Sequence, residues 1–290
     1  MPGEDKKLLD FKTFLNMELF FIVGLPRSGT TWVQHLLNHH PDIICRGESH
    51  FFNLLFPQIQ QCFQNYNKEV LQQGGVIAHL KEYGGHVESL NYEVDDTHLV
   101  LLYCISLVFQ KWINTDANNS ALIIGEKTPD SILHLNLINS LLPQSKIIHV
   151  IRDGRDCATS NWFFNLSGMK NNSVPAESFG DYVLKEMKKW ITSINMAQAV
   201  GNNICDRYTE VRYEELLDQP TIELSRMLRF LEVDYDQEII EKCIGNASFE
   251  KMGGGPSLGS ENSTLFLRKG VSGDWKEHFN QDLSKQAWSI

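Results

Sequence analysis

The chain has 290 residues, of which 42% are hydrophobic and 21% are charged. These values are typical of soluble globular proteins and exclude disordered, collagen-like and coiled-coil chains. With 36 acidic residues against 26 Lys and Arg, the formal net charge is −10, so we expect no nucleic-acid partner, and any anionic ligand must meet a local cluster of positive charge. The length predicts one domain over 1–290, with an N-terminal extension over 1–17 and a core over about 18–280.

The cysteines and the N-terminus indicate the compartment. Six scattered cysteines form no C-x-x-C pair, so the usual zinc and dithiol signatures are missing, and we expect no bound metal. Residues 1–13 are largely polar and charged, unlike a secretory signal, and no window reaches the roughly 18 apolar residues of a membrane span. These features predict a cytoplasmic protein without a membrane partner.

In chain order, the first predicted elements are a strand, a glycine loop and a helix. Residues 19–23 are a short apolar run followed by Gly24-Leu25-Pro26, which fits a strand that is buried on both faces. Apolar residues at helical spacing predict a helix over 30–39, which Pro41 ends.

The same short apolar pattern returns later in the chain. It covers 121–124 and 147–151, on either side of a helical stretch over 132–142, and such a strand-helix-strand unit implies a parallel sheet. The remaining predicted elements are a helix over 179–200, a strand over 207–213, a helix over 221–231 and a mobile glycine-rich loop over 253–260. The predicted fold class is α/β, a single domain with a central parallel β-sheet flanked by helices.

The segment between the first strand and helix has the spacing of a phosphate-binding loop. It reads Gly24-Leu25-Pro26-Arg27-Ser28-Gly29-Thr30-Thr31. Its backbone N–H groups can point into one concavity, and the helix adds its positive dipole end. Arg27, Ser28 and the two threonines add donors that a plain turn, the alternative, does not need. Thr30 stands where a nucleotide-hydrolysing loop carries Lys, which disfavours a kinase or NTPase.

Two further cationic elements predict a ligand with a second phosphate group. Arg152 directly follows the run 147–151, and Ser160 lies eight residues later, so both can bind the same anion. The alternative is a surface arginine paired with a neighbouring aspartate. Near the C-terminus, Arg268-Lys269-Gly270 forms the other element, which taken alone is typical of a solvated loop.

Together these motifs resemble the sulfotransferases that use 3′-phosphoadenosine 5′-phosphosulfate (PAPS). Pro26 to Trp32 matches their 5′ loop with Arg27 in place of Lys, and Arg152 with Ser160 matches their 3′-phosphate motif. Arg268 to Lys276 matches a segment of the cytosolic members, and the likeness runs from about Glu18 to Phe279. It implies a P-loop NTPase-like sulfotransferase fold, PAPS as donor, 3′-phosphoadenosine 5′-phosphate (PAP) as product, and no required metal.

The resemblance also implies which residues bind the nucleotide. Trp32 and Tyr213 match the family's adenine contacts, although buried aromatic residues also need no ligand to explain them. The implied set is Arg27, Ser28, Gly29, Thr30, Thr31, Trp32, Arg152, Ser160, Tyr213, Arg268, Lys269 and Gly270.

The catalytic base is expected in a different place from the cytosolic members. Those enzymes carry a histidine where this chain has Pro129. The segment Glu48-Ser49-His50-Phe51-Phe52 resembles instead the glycan-type sulfotransferases, which also share Glu126-Lys127-Thr128-Pro129. We expect Glu48 as general base with His50 as auxiliary, or His50 itself as base, and Lys127 and Arg27 as the positive charge at the leaving phosphate.

The surroundings of Glu48 allow two interpretations. The aromatic pair that follows could desolvate its carboxylate and raise its pKa. Alternatively, Glu48 caps a helix or pairs with Arg46.

The predicted activity is transfer of a sulfonyl group to a hydroxyl, less readily to an amine, of a small-molecule or carrier- or glycan-borne acceptor. A small-molecule kinase and a nucleotide-binding module without turnover are the alternatives. We expect the acceptor to contact loops over 60–96 and 163–178.

Overall fold

Five parallel strands form the centre of the molecule, in the order β2-β3-β1-β4-β5. The computed structural model describes residues 2–72, 91–116, 121–167, 177–253 and 269–290. The strands are β1 Glu18–Gly24, β2 Ile43–Gly47, β3 Ile123–Lys127, β4 Lys146–Ile151 and β5 Tyr208–Arg212.

Helices cover both faces of the sheet. In chain order they are α1 Pro2–Phe14, α2 Thr30–Asn38, α3 Phe56–Gln72, α4 Val94–Thr115, α5 Leu135–Leu141, α6 Gly154–Leu166, α7 Phe179–Gly201, α8 Tyr213–Asp218, α9 Pro220–Leu231, α10 Gln237–Asn246 and α11 Gln281–Trp288. A π-helical turn covers Phe51–Leu55, and 3-10 turns cover Pro129–His134, Cys205–Arg207 and Asp274–Glu277.

The central strand β1 is apolar throughout because both its faces are buried. Phe20 and Ile22 join one core cluster, with α2, α9 and α10. Leu19, Phe21 and Val23 join the other, with α4 and α5. This alternation follows from the two-residue period of a strand, and it confirms the predicted parallel sheet between two helical layers.

The N-terminal helix α1 packs on the second of these clusters. Phe14 at its end is buried, and the ring of Phe11 lies 5.5 Å from that of Tyr103 in α4. The predicted division into an extension over 1–17 and a core over about 18–280 stays a prediction. Among the described residues, none of the helices combines the length and apolar character needed to span a bilayer.

Several element boundaries differ from those predicted. The strand expected over 121–124 is β3, which continues through Glu126 and Lys127 although both are ionisable residues. Glu126 Oε1 and the Lys127 ammonium have hydrogen-bond partners in the buried interior. The stretch 132–142 is divided between the 3-10 turn Pro129–His134 and α5. The strand over 207–213 ends at Arg212, since Tyr213 begins α8.

The two segments expected to be loops near the acceptor, 60–96 and 163–178, are largely helical where they lie within the described residues, although 91–93, 167 and 177–178 lie outside the helices. Their contact with the acceptor stays a prediction. Residues 60–72 belong to α3, 94–96 to α4 and 163–166 to α6. Residues 60–72 and 94–115 contain no glycine or proline, so the sequence carries no signal there that would separate a loop from a helix. Of the predicted loop over 253–260, only Gly253 lies within the described residues.

Candidate active site

A cavity of about 820 Å³ opens at the carboxyl ends of β1, β3 and β4. Parallel α/β sheets bind their ligands at this edge. The predicted site residues that line it are Arg27, Gly29, Thr30, Thr31, Trp32, Glu48, His50, Lys127, Arg152, Ser160, Tyr213, Lys269 and Gly270. Arg268, also predicted, lies outside the described residues.

The phosphate loop connects β1 to α2 through a left-handed turn. Arg27 has φ 72° and Gly29 has φ 99°, and only glycine adopts the latter easily. The ring of Tyr213 lies against Gly29, so that an added Cβ would come within 2.4 Å of it. Ser28 is buried, and its Oγ has no hydrogen-bond partner within the described part of the chain. Arg27, Gly29, Thr30 and Thr31 of this loop line the cavity, whereas the predicted site residue Ser28 lies beneath the cavity surface.

Arg152 lies at the end of β4 and is only 9% exposed. Its Nη1 donates to the Arg27 carbonyl at 3.0 Å and its Nη2 to the Val271 carbonyl at 2.8 Å. Its guanidinium lies 4.6 Å from the centre of the Tyr213 ring, and its buried Nε has no partner among the described residues. Arg152 is therefore not the surface arginine of the alternative interpretation, because it is buried. Of the two neighbouring aspartates, Asp153 pairs with Arg155, whereas Asp156 Oδ2 lies 3.9 Å from Arg152 Nη2.

Arg27 and Ser160 connect the two predicted phosphate motifs. Arg27 Nε donates to Ser160 Oγ at 3.2 Å, and its guanidinium lies 4.9 Å from the centre of the Phe164 ring. Residues 133 positions apart in the chain thus meet at one wall of the cavity.

The segment after Lys269 is held on the site by a buried aspartate. Asp156 is 1% exposed and accepts hydrogen bonds from the backbone N–H of Gly273 at 2.7 Å and of Trp275 at 3.0 Å. The Lys269 ammonium pairs with Asp274 at 2.6 Å and with Glu277 at 2.8 Å. The sequence carries no local signal for the Asp156 anchor, because the partners are more than a hundred residues apart.

Glu48, Lys127 and His50 meet beside the phosphate loop. Lys127, 3% exposed, donates to Glu48 Oε1, and its Nζ lies 3.4 Å from Thr31 Oγ1. His50 Nε2 lies 3.5 Å from Glu48 Oε2. Arg46 pairs with Asp116 at 2.5 Å, so the alternative pairing with Glu48 is not formed. The Glu48 carboxylate, the His50 imidazole and the Lys127 ammonium thus line one cavity together with Thr30 and Thr31 of the phosphate loop.

The expected desolvation of Glu48 by the following aromatic residues is wrong. Phe51 and Phe52 pack into the core, where Phe52 lies against Phe21 and Phe51 against Phe109. The Glu48 side chain is 50% exposed. The backbone turn after His50 directs the aromatic rings inward and leaves the carboxylate at the cavity.

Some lining residues were missed by the sequence analysis. Asp130, Asn161 and Phe164 lie in the wall that also contains His50 and Pro129. At the other end, Trp32 Nε1 donates to the Ala247 carbonyl at 3.1 Å, and its ring meets that of Tyr213 edge to face at 5.8 Å. Ser248, Phe249 and Met252 follow Ala247 and complete this apolar wall. No motif in the sequence marked Ser248, Phe249 or Met252 as site residues.

Comparison with known proteins agrees with this geometry. A model of the sulfotransferase family matches residues 20–237. A Caenorhabditis briggsae protein provisionally named a protein-tyrosine sulfotransferase is 26% identical over 224 residues, which are 77% of this chain and 68% of that protein. Mouse sulfotransferase 1E1 is 27% identical over 194 residues, 60% of this chain and 64% of the mouse protein, so the match spans less than two thirds of that relative.

A solved structure has the same architecture. Mouse sulfotransferase SULT7A1, crystallised in complex with PAP, superposes with a TM-score of 0.54 at 15% identity, covering 95% of this chain and 84% of that one. This likeness establishes the fold. Because the family model covers more than half of the residues, the chain belongs to the sulfotransferase family. The predicted family and fold class are confirmed.

Proposed function

We propose that the protein is a PAPS-dependent sulfotransferase that acts on a hydroxyl group, with Glu48 as general base. The observation that carries the proposal is the position of Lys127, which contacts both Glu48 and Thr31 of the phosphate loop. One side chain thereby joins the proton acceptor to the anion-binding loop. Such an arrangement fits a reaction in which a proton leaves one reactant while negative charge develops on the other.

The residues present fit a nucleotide that carries two phosphate groups. Ser28 Oγ and Arg152 Nε are buried donors without a partner among the described residues, and a polar group in that condition costs free energy unless a ligand pairs with it. Ser28, Gly29, Thr30 and Thr31 would hold the 5′ side and Arg152 with Ser160 the 3′-phosphate. Trp32 and Tyr213 would contact the base.

When bound, PAPS supplies a sulfonyl group joined through a bridging oxygen to its 5′-phosphate. In the proposed mechanism, Glu48 would take the proton of the acceptor hydroxyl, and the bond from the acceptor oxygen to sulfur would form as the bond from sulfur to the bridging phosphate oxygen breaks. His50 orients the Glu48 carboxylate or shares the proton, and Lys127 and Arg27 place positive charge where the departing phosphate oxygen becomes negative.

The acceptor is proposed to be a hydroxyl on a small molecule or on a carrier- or glycan-borne group, with an amine less favoured. A screen with labelled PAPS against phenols, aliphatic alcohols, tyrosine peptides and oligosaccharides tests this. Labelled product in at least one class is expected, and transfer to amines alone would contradict the hydroxyl assignment. Absence of transfer to any acceptor, together with failure of PAP to raise Tm, would contradict the sulfotransferase proposal.

Metal removal separates this proposal from a kinase on the same loop. Transfer should continue in excess EDTA, because Lys127, Arg27 and the loop amides supply the charge that Mg²⁺ provides in a kinase. The measurement is the rate of labelled transfer with and without chelator. Loss of activity that Mg²⁺ restores, or a larger rise in Tm with ATP than with PAP, would favour the kinase.

A further inference from the structure

Two tripeptides lie side by side at the edge of the sheet. Glu48-Ser49-His50 follows β2. Glu126 and Lys127 end the parallel neighbour β3, Thr128 follows it, and Gly47 of β2 is in register with Lys127 of β3. The pairing continues one step further, because Glu48 N donates to the Lys127 carbonyl at 2.8 Å. The segment that carries the proposed base is therefore an extension of the sheet.

The side chains of Glu126 in β3 and of Thr128, which directly follows β3, hold this segment in place by hydrogen bonds. Glu126 Oε1 accepts from the backbone N–H of Ser49 at 3.2 Å, from Ser49 Oγ at 2.5 Å and from Thr128 Oγ1 at 2.5 Å. Thr128 Oγ1 in turn accepts from the backbone N–H of His50 at 3.3 Å. Lys127 points to the opposite side, toward Glu48. The contacts thus alternate along β3 as the period of a strand requires.

The held segment has an unfavourable backbone. Glu48 has φ 60° and His50 has φ 53°, and neither is glycine. Left-handed conformations of this kind are unfavourable for residues other than glycine and persist only where surrounding contacts impose them. In this segment Lys127 contacts Glu48, whereas the contacts to the backbone of Ser49 and His50 come from Glu126 and Thr128.

Stability alone does not explain a carboxyl group at this position. Glu126 is 1% exposed, its Oε2 has no partner in the described ranges, and burial raises the pKa of its carboxyl. Burying an acidic group in this way is unfavourable. Glu126 Oε1 nevertheless accepts three hydrogen bonds, two of them from Ser49. This arrangement favours a role for Glu126 in holding Ser49 in place.

We propose that Glu126, together with Thr128, is a positioning residue that holds Ser49 so that Glu48 faces Lys127 and His50 faces the cavity. The expected effect of this anchoring on catalysis rests on the proposed function. It does not require Glu48 rather than His50 to be the base, since both are carried by the same segment.

Kinetics and nucleotide binding test the proposal with matched variants. Glu126→Ala and Thr128→Val should each lower kcat, by about 100-fold for the first, since a misplacement near 1 Å can have that effect. PAP affinity should stay within about threefold, because neither residue lines the nucleotide site. Glu126→Gln and Thr128→Ser keep an acceptor or hydroxyl in place and should restore most of kcat. The control is Glu223→Ala, which removes another buried carboxylate, paired with Arg226 in α9.

Amide exchange tests the anchoring without any turnover. In Glu126→Ala the Ser49 N–H should exchange about tenfold faster or more, whereas the amides of β1 and β4 should keep their protection. Unchanged Ser49 exchange would overturn the inference, and so would faster exchange with wild-type kcat. If no acceptor is ever sulfated, the proposed function fails, while Ser49 exchange still decides whether Glu126 anchors the segment.

Discussion

Strained residues are concentrated where the chemistry is proposed. Among the described residues, four that are not glycine have positive φ, namely Arg27, Glu48, His50 and Glu232, and the first three line the cavity. Such conformations oppose folding and are retained where function needs a side chain in a particular direction. Each of the three turns a charged or titratable group toward the same space between β1, β3 and β4.

The Glu48→Gln substitution tests the base. It keeps the shape of the side chain and removes its basicity, so kcat should fall roughly 10²–10⁴-fold, the usual contribution of a general base. PAP affinity, measured by calorimetry, should change little. A near wild-type rate in Glu48→Gln combined with an inactive His50→Ala would assign the base to His50.

Arg152→Ala tests the 3′-phosphate site. Loss of a hydrogen bond to a charged group should weaken PAP binding by about 1.5–3 kcal/mol, or roughly 10- to 150-fold in Kd. Arg229→Ala is the control, since Arg229 is exposed in α9 and stacks on Tyr235 away from the cavity. Equal PAP affinity in a folded Arg152→Ala protein would remove this residue from the site.

At the level of elements, the loop between β1 and α2 is tied to the start of α8. The Tyr213 ring lies against Gly29 and also under the Arg152 guanidinium, so one aromatic residue contacts both predicted phosphate motifs. The position of α8 therefore determines the shape of the phosphate loop. A side chain at position 29 would therefore disturb both the phosphate loop and the packing of α8 against it.

Gly29→Ala should abolish measurable PAP binding and lower Tm, because its φ of 99° is strained for alanine and the new Cβ would meet Tyr213 at 2.4 Å. Gly245→Ala in α10 is the matched control. Beyond its own helix backbone, no atom of the described residues lies within 4 Å of its added Cβ, and its φ is ordinary, so stability should hold or rise by about 0.4–1 kcal/mol. Thermal melts with and without PAP give both results, and equal behaviour of the two variants would contradict the packing argument.

For the molecule as a whole, a partly buried hydrogen-bond network joins β4, β5 and α7. His149 is fully buried, and its Nδ1 lies 2.5 Å from the Tyr208 hydroxyl. Tyr208 donates to Glu210 at 3.3 Å, and Gln198 of α7 donates to the same carboxylate at 2.9 Å. Burial lowers the pKa of His149 to about 4. The histidine is therefore neutral in the folded protein at neutral pH.

This burial predicts acid sensitivity. In the unfolded chain His149 binds a proton below its ordinary pKa near 6.5, whereas the folded protein resists protonation until about pH 4. The free energy of unfolding should therefore fall by roughly 3 kcal/mol as pH drops through that window, and His149→Gln should remove this contribution. Urea denaturation at several pH values measures it, with partly exposed His98→Gln as control. Parallel pH curves for wild type and His149→Gln would contradict the prediction.

The sequence predicted the parts of the fold that depend on neighbours in the chain. The strand before Gly24, the helix after Thr30 and the pair Arg152 and Ser160 all belong to continuous segments with a recognisable spacing. Short or polar elements were less predictable. Strand β2 has only three apolar residues, and β3 ends in Glu126 and Lys127, whose burial depends on partners supplied by other segments.

By itself, therefore, the sequence determined the phosphate loop, the strand and helix order around it and the family. Only the tertiary structure decided that Lys127 contacts Glu48, that Asp156 holds Gly273 and that Phe51 faces the core. The physical reason is separation along the chain: local spacing dictates local hydrogen bonding and amphipathicity, while contacts across 79 or 117 residues exist only once the sheet has brought the strand ends together.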